Sequence, residues 1–263
     1  MKRLLTIFFL ILFSIVQGQS QKLIAVKKQS VSLTADVFLG YDQFGFYYSI
    51  KNNALSKIKD KESFEYKNPS LGEITKVDLQ NPLKIVVFYE NFNTVILLDN
   101  QLNEAQKINF SENVTPIMVS KTGIAAQNQL WIYDSLNQQI GLYDYLKNSY
   151  KSISTSFPES IEYYQSDFNT FYWIDQANNW YSCDVFGKIT LKGIIPDFDQ
   201  IAINNDHQFI YSKNNILVFE DIEKNQKFEI DILEKTFEKF CFKDQILSIF
   251  TSEGITNYKI TTP

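Results

Sequence analysis

The stretch Trp131-Ile-Tyr-Asp134-Ser-Leu-Asn137-Gln-Gln-Ile140-Gly-Leu-Tyr-Asp144 decides the fold of this chain. Two short apolar runs flank an Asp-x-x-Asn turn, and each run ends in aspartate. Apolar runs of strand length around a turn that tolerates positive φ describe a tight β-hairpin. The same figure returns about every 40 residues. That period, with four short strands per unit, is the sequence signature of a β-propeller.

Working outward from the hairpin, six units of four strands fit at about 34–68, 72–112, 115–155, 160–195, 198–232 and 235–260. The last unit is one strand short, and residues 22–32 near the N-terminus are expected to complete it. A ring needs its ends paired, so a strand at Leu23 to Val26 is expected to complete the sixth blade as its outer strand. Asn53, Asn93, Asn137, Asn178, Asn215 and Gly254 fall between the second and third strands of successive units, spaced by 40, 44, 41, 37 and 39 residues. Asparagine and glycine are the types that adopt the left-handed backbone of a tight turn. Seven blades would require a shorter repeat of about 33 residues. No window sustains a helical apolar period with caps, and only Ile232 to Phe240 leaves room for a helical turn. The expected fold is an all-β, six-bladed propeller of four-stranded antiparallel blades.

Lys2 and Arg3 precede an apolar run, Leu4 to Val16, that is too short to span a bilayer, and Gln17-Gly18 follows. This is the pattern of a signal peptide over 1–18, cleaved after Gly18, with a single domain over 19–263. Losing Lys2 and Arg3 leaves 23 basic against 30 acidic side chains, a net charge of −7. An acidic chain without a run of lysine or arginine is a poor ligand for phosphate backbones, which excludes nucleic acid as the expected partner. No later segment is apolar enough to span a membrane. Cys183 and Cys241 fall in non-adjacent blades, so two separate buried thiols are expected instead of a disulfide.

The hairpin over Trp131 to Asp144 resembles an NHL repeat, an apolar strand, Asp-x-x-Asn and a second apolar strand ending in Asp. Asp175-Gln-Ala-Asn178 keeps the pattern, and Glu90-Asn-Phe-Asn93 keeps it with the carboxylate exchanged. The other three repeats have lost the acidic residue, and the family's flanking glycine and arginine are mostly absent. The chain is thus similar to a diverged propeller of NHL or YVTN type, and in texture to uncharacterised exported proteins of Bacteroidota. The resemblance implies an extracytoplasmic sensor or scaffold. NHL-like propellers that bind RNA use a basic face, which an acidic chain does not suggest.

Chemistry-bearing residues are sparse. His207 is the single histidine, and no Gly-x-Ser-x-Gly elbow accompanies it, so it is expected to be a solvated loop residue. One histidine and two distant cysteines cannot make a zinc or copper site. Asp42, Asp78, Asp167, Asp206 and Asp244 recur at the ends of the innermost strands, where they would ring one mouth of the channel. Aspartate at these points is expected to open turns by bonding its own backbone; the alternative is a ring that attracts a cation such as calcium. Tyr163, Tyr164, Trp173 and Trp180 crowd the fourth repeat, where packing between blades is the expected role and sugar stacking the alternative.

No catalytic, cofactor or metal residue is therefore assigned, and the chain is not expected to be an enzyme. The expectation is an exported scaffold in the periplasm or at the outer-membrane periphery, or outside the cell, that binds an envelope protein. The alternatives are a sensor for a small ligand or carbohydrate at the channel mouth and, third, a metal-dependent enzyme of lactonase type.

Overall fold

The computed structural model describes residues 21–112, 117–157 and 161–262, so the expected signal sequence lies outside the described residues. They form six blades, each a meander of four antiparallel strands. Blade one is Val37–Tyr41, Tyr47–Lys51, Ala54–Lys59 and Glu62–Tyr66. Blade two is Lys76–Asp78, Ile85–Tyr89, Thr94–Leu98 and Glu104–Asn109. Blade three, holding the Trp131 hairpin, is Val119–Ala125, Gln129–Asp134, Gln139–Asp144 and Ser149–Ser152. Blade four is Ile161–Ser166, Thr170–Asp175, Asn179–Asp184 and Ile189–Ile194, and blade five is Gln200–Ile203, Gln208–Lys213, Ile216–Asp221 and Gln226–Asp231. Blade six contributes only Lys239–Lys243, Ile246–Thr251 and Gly254–Lys259 from its own stretch of chain.

The N-terminal segment supplies the missing strand from within the expected stretch 22–32, although its first residues go to another blade. Val26–Val31 pairs antiparallel with Gly254–Lys259 and completes blade six. Leu23 belongs elsewhere: Gln21–Ile24 runs parallel to Gln226–Asp231 and adds a fifth strand to blade five. Blade five otherwise ends in an unpaired edge, and the chain covers it before crossing at Ala25 to the next blade. Leu23 and Ala25 pack on the apolar cluster between blades five and six. One stretch therefore staples two blades. No helical turn forms over Ile232 to Phe240, and the three short 3-10 turns lie at Pro69–Leu71, Glu90–Phe92 and Phe110–Glu112.

The core is divided into six apolar clusters, one at each interface between neighbouring blades. Middle strands supply most of it, because both of their faces are covered; Ile85–Tyr89 and Thr94–Leu98 are buried throughout. Large rings fill the wide gaps, as where Phe157 stacks on Trp173 with centroids 4.9 Å apart and Trp180 meets Phe209 edge-on at 5.7 Å. The interface between blades six and one has the smallest cluster, Phe38, Phe250 and Ile255.

Five of the six expected turn residues have left-handed or glycine-like φ: Asn53 at 58°, Asn93 at 48°, Asn178 at 64°, Asn215 at 62° and Gly254 at 128°. In the Trp131 hairpin that role passes from Asn137 to Gln138, at 53°, because the Asn137 amide is turned back on Asp134, 2.7 Å away. Asn93 does more than turn the chain. Its amide donates to the Ile117 carbonyl (2.7 Å) and accepts from Val119 N–H (3.0 Å), fixing where blade three begins. Asn53 bonds Gly72 and Ile74 in the same way at the entry to blade two.

Gly254 lies against the closing segment. A Cβ there would sit 2.2 Å from the Val31 carbonyl oxygen and 2.7 Å from Leu33 N, both backbone atoms that cannot swing aside. Gly254→Ala is therefore expected to loosen the N-terminal strand and to cost well over about 1 kcal/mol, measurable by urea denaturation. A loss within error would show that the segment adjusts freely and does not clamp the ring.

Candidate functional site

The first strand of each blade faces the axis, and together they wall a central cavity of about 280 Å³. Side chains tie five of the six strand pairs around it. The Asp78 carboxylate of blade two accepts from Ile124 N–H of blade three (2.7 Å), and the Tyr164 hydroxyl of blade four donates to the Thr122 carbonyl (3.3 Å). Gln165 brackets Ile203 of blade five, donating to its carbonyl (2.7 Å) and accepting from its N–H (3.1 Å). Gln200 treats blade six likewise, through the Glu238 carbonyl (2.9 Å) and Phe240 N–H (3.3 Å). The Cys241 thiol closes the circuit on the Leu39 carbonyl at 3.5 Å. Walls cross-linked in this way are preorganised, which is what a binding site needs.

Of the five aspartates expected to ring the mouth, only Asp78 lines this cavity. Asp42 is buried off-axis, where it accepts from Phe44 N–H, Phe46 N–H and the Tyr48 hydroxyl. Asp167 is occupied by the N–H groups of Asn169 and Thr170, both 2.8 Å away. Asp206 is drawn outward to Lys192 Nζ (2.9 Å) and the Tyr172 hydroxyl (2.8 Å). Asp244 is an exposed turn residue with φ 50°. Aspartates at these turns serve the turns, so no acidic ring is assembled. Among the described residues, no three histidine, cysteine or acidic side chains are grouped closely enough to hold a metal ion.

Lysine takes the place of the expected acid. Lys76, Lys239 and Lys243 line the cavity with Asp78. In Lys239-Phe-Cys-Phe-Lys243 the strand alternation puts Lys239, Cys241 and Lys243 on one face and Phe240 and Phe242 on the other, against the apolar cluster. Lys76 and Asp78 are spaced the same way on the first strand of blade two. The ammonium of Lys76 sits over the Tyr164 ring, 4.7 Å from its centroid, and Lys121 approaches the same ring at 5.8 Å. Gly123 leaves room for this arrangement, since a Cβ there would lie 2.1 Å from Ser166 Oγ and 2.9 Å from the Asp78 carboxylate.

Lys76 and Asp78 are both short of hydration. Loss of hydration pushes the Lys76 ammonium below its ordinary pKa, against the attraction of Asp78, and Lys239 and Lys121 push the same way. Loss of hydration also raises Asp78, opposed by its two backbone N–H donors, Ile124 and Gln80. The Cys241 thiol is pushed up to about 11 by burial, so it stays protonated at neutral pH. Tyr163 and Tyr164 are raised by burial as well and remain neutral donors. Both cysteines are free; Cys183 is buried, and Cys241 is half-buried in the channel wall. His207 is exposed in the loop before the second strand of blade five and does not line the cavity.

No protein-family model matches the chain, and no curated protein is significantly similar to it. Solved structures do share its propeller fold. A structural-genomics protein of unknown function from Bacteroides thetaiotaomicron is 13% identical with a TM-score of 0.61, covering 92% of this chain and 75% of that one. A gluconolactonase-like protein is 9% identical with a TM-score of 0.58 and coverage of 90% and 92%. Virginiamycin B lyase from Staphylococcus aureus is 14% identical with a TM-score of 0.55 and coverage of 86% and 80%. At such identities the likeness establishes the architecture alone. No helix among the described residues is long and apolar enough to cross a membrane.

Proposed function

We propose that this protein is an exported, non-catalytic propeller of NHL or YVTN type that holds a small molecule in its central channel. The observation that carries the proposal is the cavity itself: about 280 Å³, with cross-linked walls on which charged groups and the Tyr163 and Tyr164 rings converge. That size and mixed lining suit a small ligand. The repeat type is supported by the turns its motif requires. Asp134 accepts from the N–H groups of Met118 and Leu136, and Asp175 from those of Ala177 and Asn179. Export rests on Lys2, Arg3 and the apolar run behind them. A protonated Cys241 and a histidine outside the cavity supply no thiolate or imidazole-paired nucleophile there, which favours binding over catalysis.

The test is a thermal-shift screen of the protein against sugars, organic acids, short peptides and calcium. One compound class is expected to raise Tm saturably, by roughly 5–10 °C at about a hundred times its Kd. If no class does so, ligand binding is overturned.

A scaffold reading has its own observation. Phe186 is 89% exposed at the turn leading to the outer strand of blade four, and Leu191 and Ile194 on that strand are exposed too. Apolar groups on an edge strand are the kind that a partner covers. A pull-down from crosslinked cell envelopes that captures one protein, lost on Phe186→Ser, would place the function at that edge.

A further inference from the structure

We propose that the channel ligand is a small dianion, a dicarboxylate or a phosphate monoester, held between Lys76, Lys239 and Lys243. The inference rests on the ligand-binding reading above and adds the chemistry of the ligand. Its first support is a charge count at the cavity wall: three lysines face one aspartate, an excess of two positive charges. This excess sits inside a chain whose overall charge is −5, so composition does not explain it.

Its second support is the pairing pattern. Elsewhere in the molecule Lys22, Lys57, Lys147, Lys192, Lys213 and Lys227 each lie within 4 Å of a carboxylate. Lys76, Lys239 and Lys243 have no such partner among the described residues; many exposed surface lysines lack one too, but Lys76 and Lys239 lack it while half-buried in the cavity wall. Asp78, whose oxygens accept from the N–H groups of Ile124 at 2.7 Å and Gln80 at 2.8 Å, attracts Lys76 and Lys243 through space and offsets one of the three charges, leaving two without a counter-charge. The Tyr164 ring steadies the Lys76 ammonium by cation–π attraction without contributing a counter-charge. Lys121 reinforces the field from behind, its ammonium bonded to the Ser120 carbonyl at 3.1 Å.

Its third support is cost. Like charges gathered where hydration is reduced oppose folding, and an anion in their midst reverses the sign. The lowered pKa of Lys76 means that its charged form is less favourable in the folded chain than in the unfolded one. That penalty applies at pH 7 and disappears only as pH rises through the folded and then the unfolded value. A cluster that burdens the empty protein is accounted for by a ligand that matches it.

The experiment uses the full mature chain and four probes: succinate, glycerol 3-phosphate, and their neutral counterparts succinamide and glycerol. Tm and calorimetric titration are read for wild type, Lys76→Met, Lys239→Gln and the surface control Lys213→Met. At least one dianion is expected to bind saturably, to weaken as potassium chloride rises, and to lose tenfold or more affinity in both channel variants but not in Lys213→Met. Lys76→Met is expected to raise the Tm of the ligand-free protein. The more effective dianion tells carboxylate from phosphate.

A neutral probe that binds as well as its charged analogue, with wild-type affinity in Lys76→Met, overturns the dianion while leaving channel binding intact. Dianion stabilisation that survives in both channel variants is a general salt effect and also overturns it. If none of the four probes binds and the wider screen yields only an uncharged ligand, the dianion fails alone. If that screen is empty as well, both proposals fail.

Discussion

A chain that begins at Ser32 is expected to lose the closed ring. It would lack the outer strand of blade six, five register pairs with Gly254–Lys259, and the strand on blade five, four register pairs with Gln226–Asp231. At about 0.5–1.5 kcal/mol net per hydrogen bond, that pairing contributes on the order of 5–10 kcal/mol, comparable with the whole stability of a domain. Apolar packing by Leu23 and Ala25 goes with it. The neighbouring seam between blades six and one has three fully buried residues, Phe38, Phe250 and Ile255. Ile255 and Tyr258 would then lie on an open strand edge, an invitation to pair with another copy. Circular dichroism should show loss of cooperative melting, and light scattering should show association. A truncated monomer melting within a few degrees of the full chain would mean that side-chain packing alone closes the ring.

How much of this was legible beforehand depends on what kind of signal each feature leaves. Blade number was open to view because a turn residue with left-handed φ leaves a periodic mark, and asparagine here is that mark. The register slip at Asn137 was not, because Asn137 and Gln138 both suit a turn and the choice is made by one amide bond to Asp134. Closure by the N-terminal segment followed from a missing strand. Its division between two blades did not, since nothing in Lys22 to Val26 says that blade five also needs a cover.

The site is a harder case. Net charge is a sum over the surface, whereas a channel gathers a few side chains from distant parts of the chain. Lys76, Lys239 and Lys243 form no run in sequence, and an acidic total conceals them. A local signal did exist: Lys-x-Asp and Lys-x-Cys-x-Lys are alternating polar positions on innermost strands, where a strand buried on both sides would be apolar. The aspartates recur because the turns between first and second strands recur, and that recurrence says nothing of a binding site. A binding site in a ring of diverged repeats lies in what the blades do not share.

Asp42 shows how different a role such an aspartate can take, and Asp42→Ala is expected to be the most damaging single substitution outside the apolar core. The carboxylate is buried beside Lys57, whose Nζ lies 3.8 Å from it, donates to the Asn100 carbonyl at 2.7 Å and sits 4.4 Å from the Phe46 ring centroid. Burial lowers the Lys57 pKa even with Asp42 present. Removing the carboxylate therefore leaves a buried cation without its counter-charge, and it strands the Tyr48 hydroxyl and the N–H groups of Phe44 and Phe46. The expected loss is about 3–5 kcal/mol, or a fall in Tm on the order of 10 °C. Lys57→Met should cost less, because Asp42 keeps its three hydrogen-bond donors. The double substitution Asp42→Asn with Lys57→Met should restore most of the stability, since the amide still accepts from the turn and no charge remains to desolvate. Dianion affinity should be unchanged in that double variant, as neither residue lines the channel. A double variant less stable than Asp42→Ala alone would show that the pair is an asset to the fold in its own right, and that its charges, not its hydrogen bonds, hold the corner of blade one.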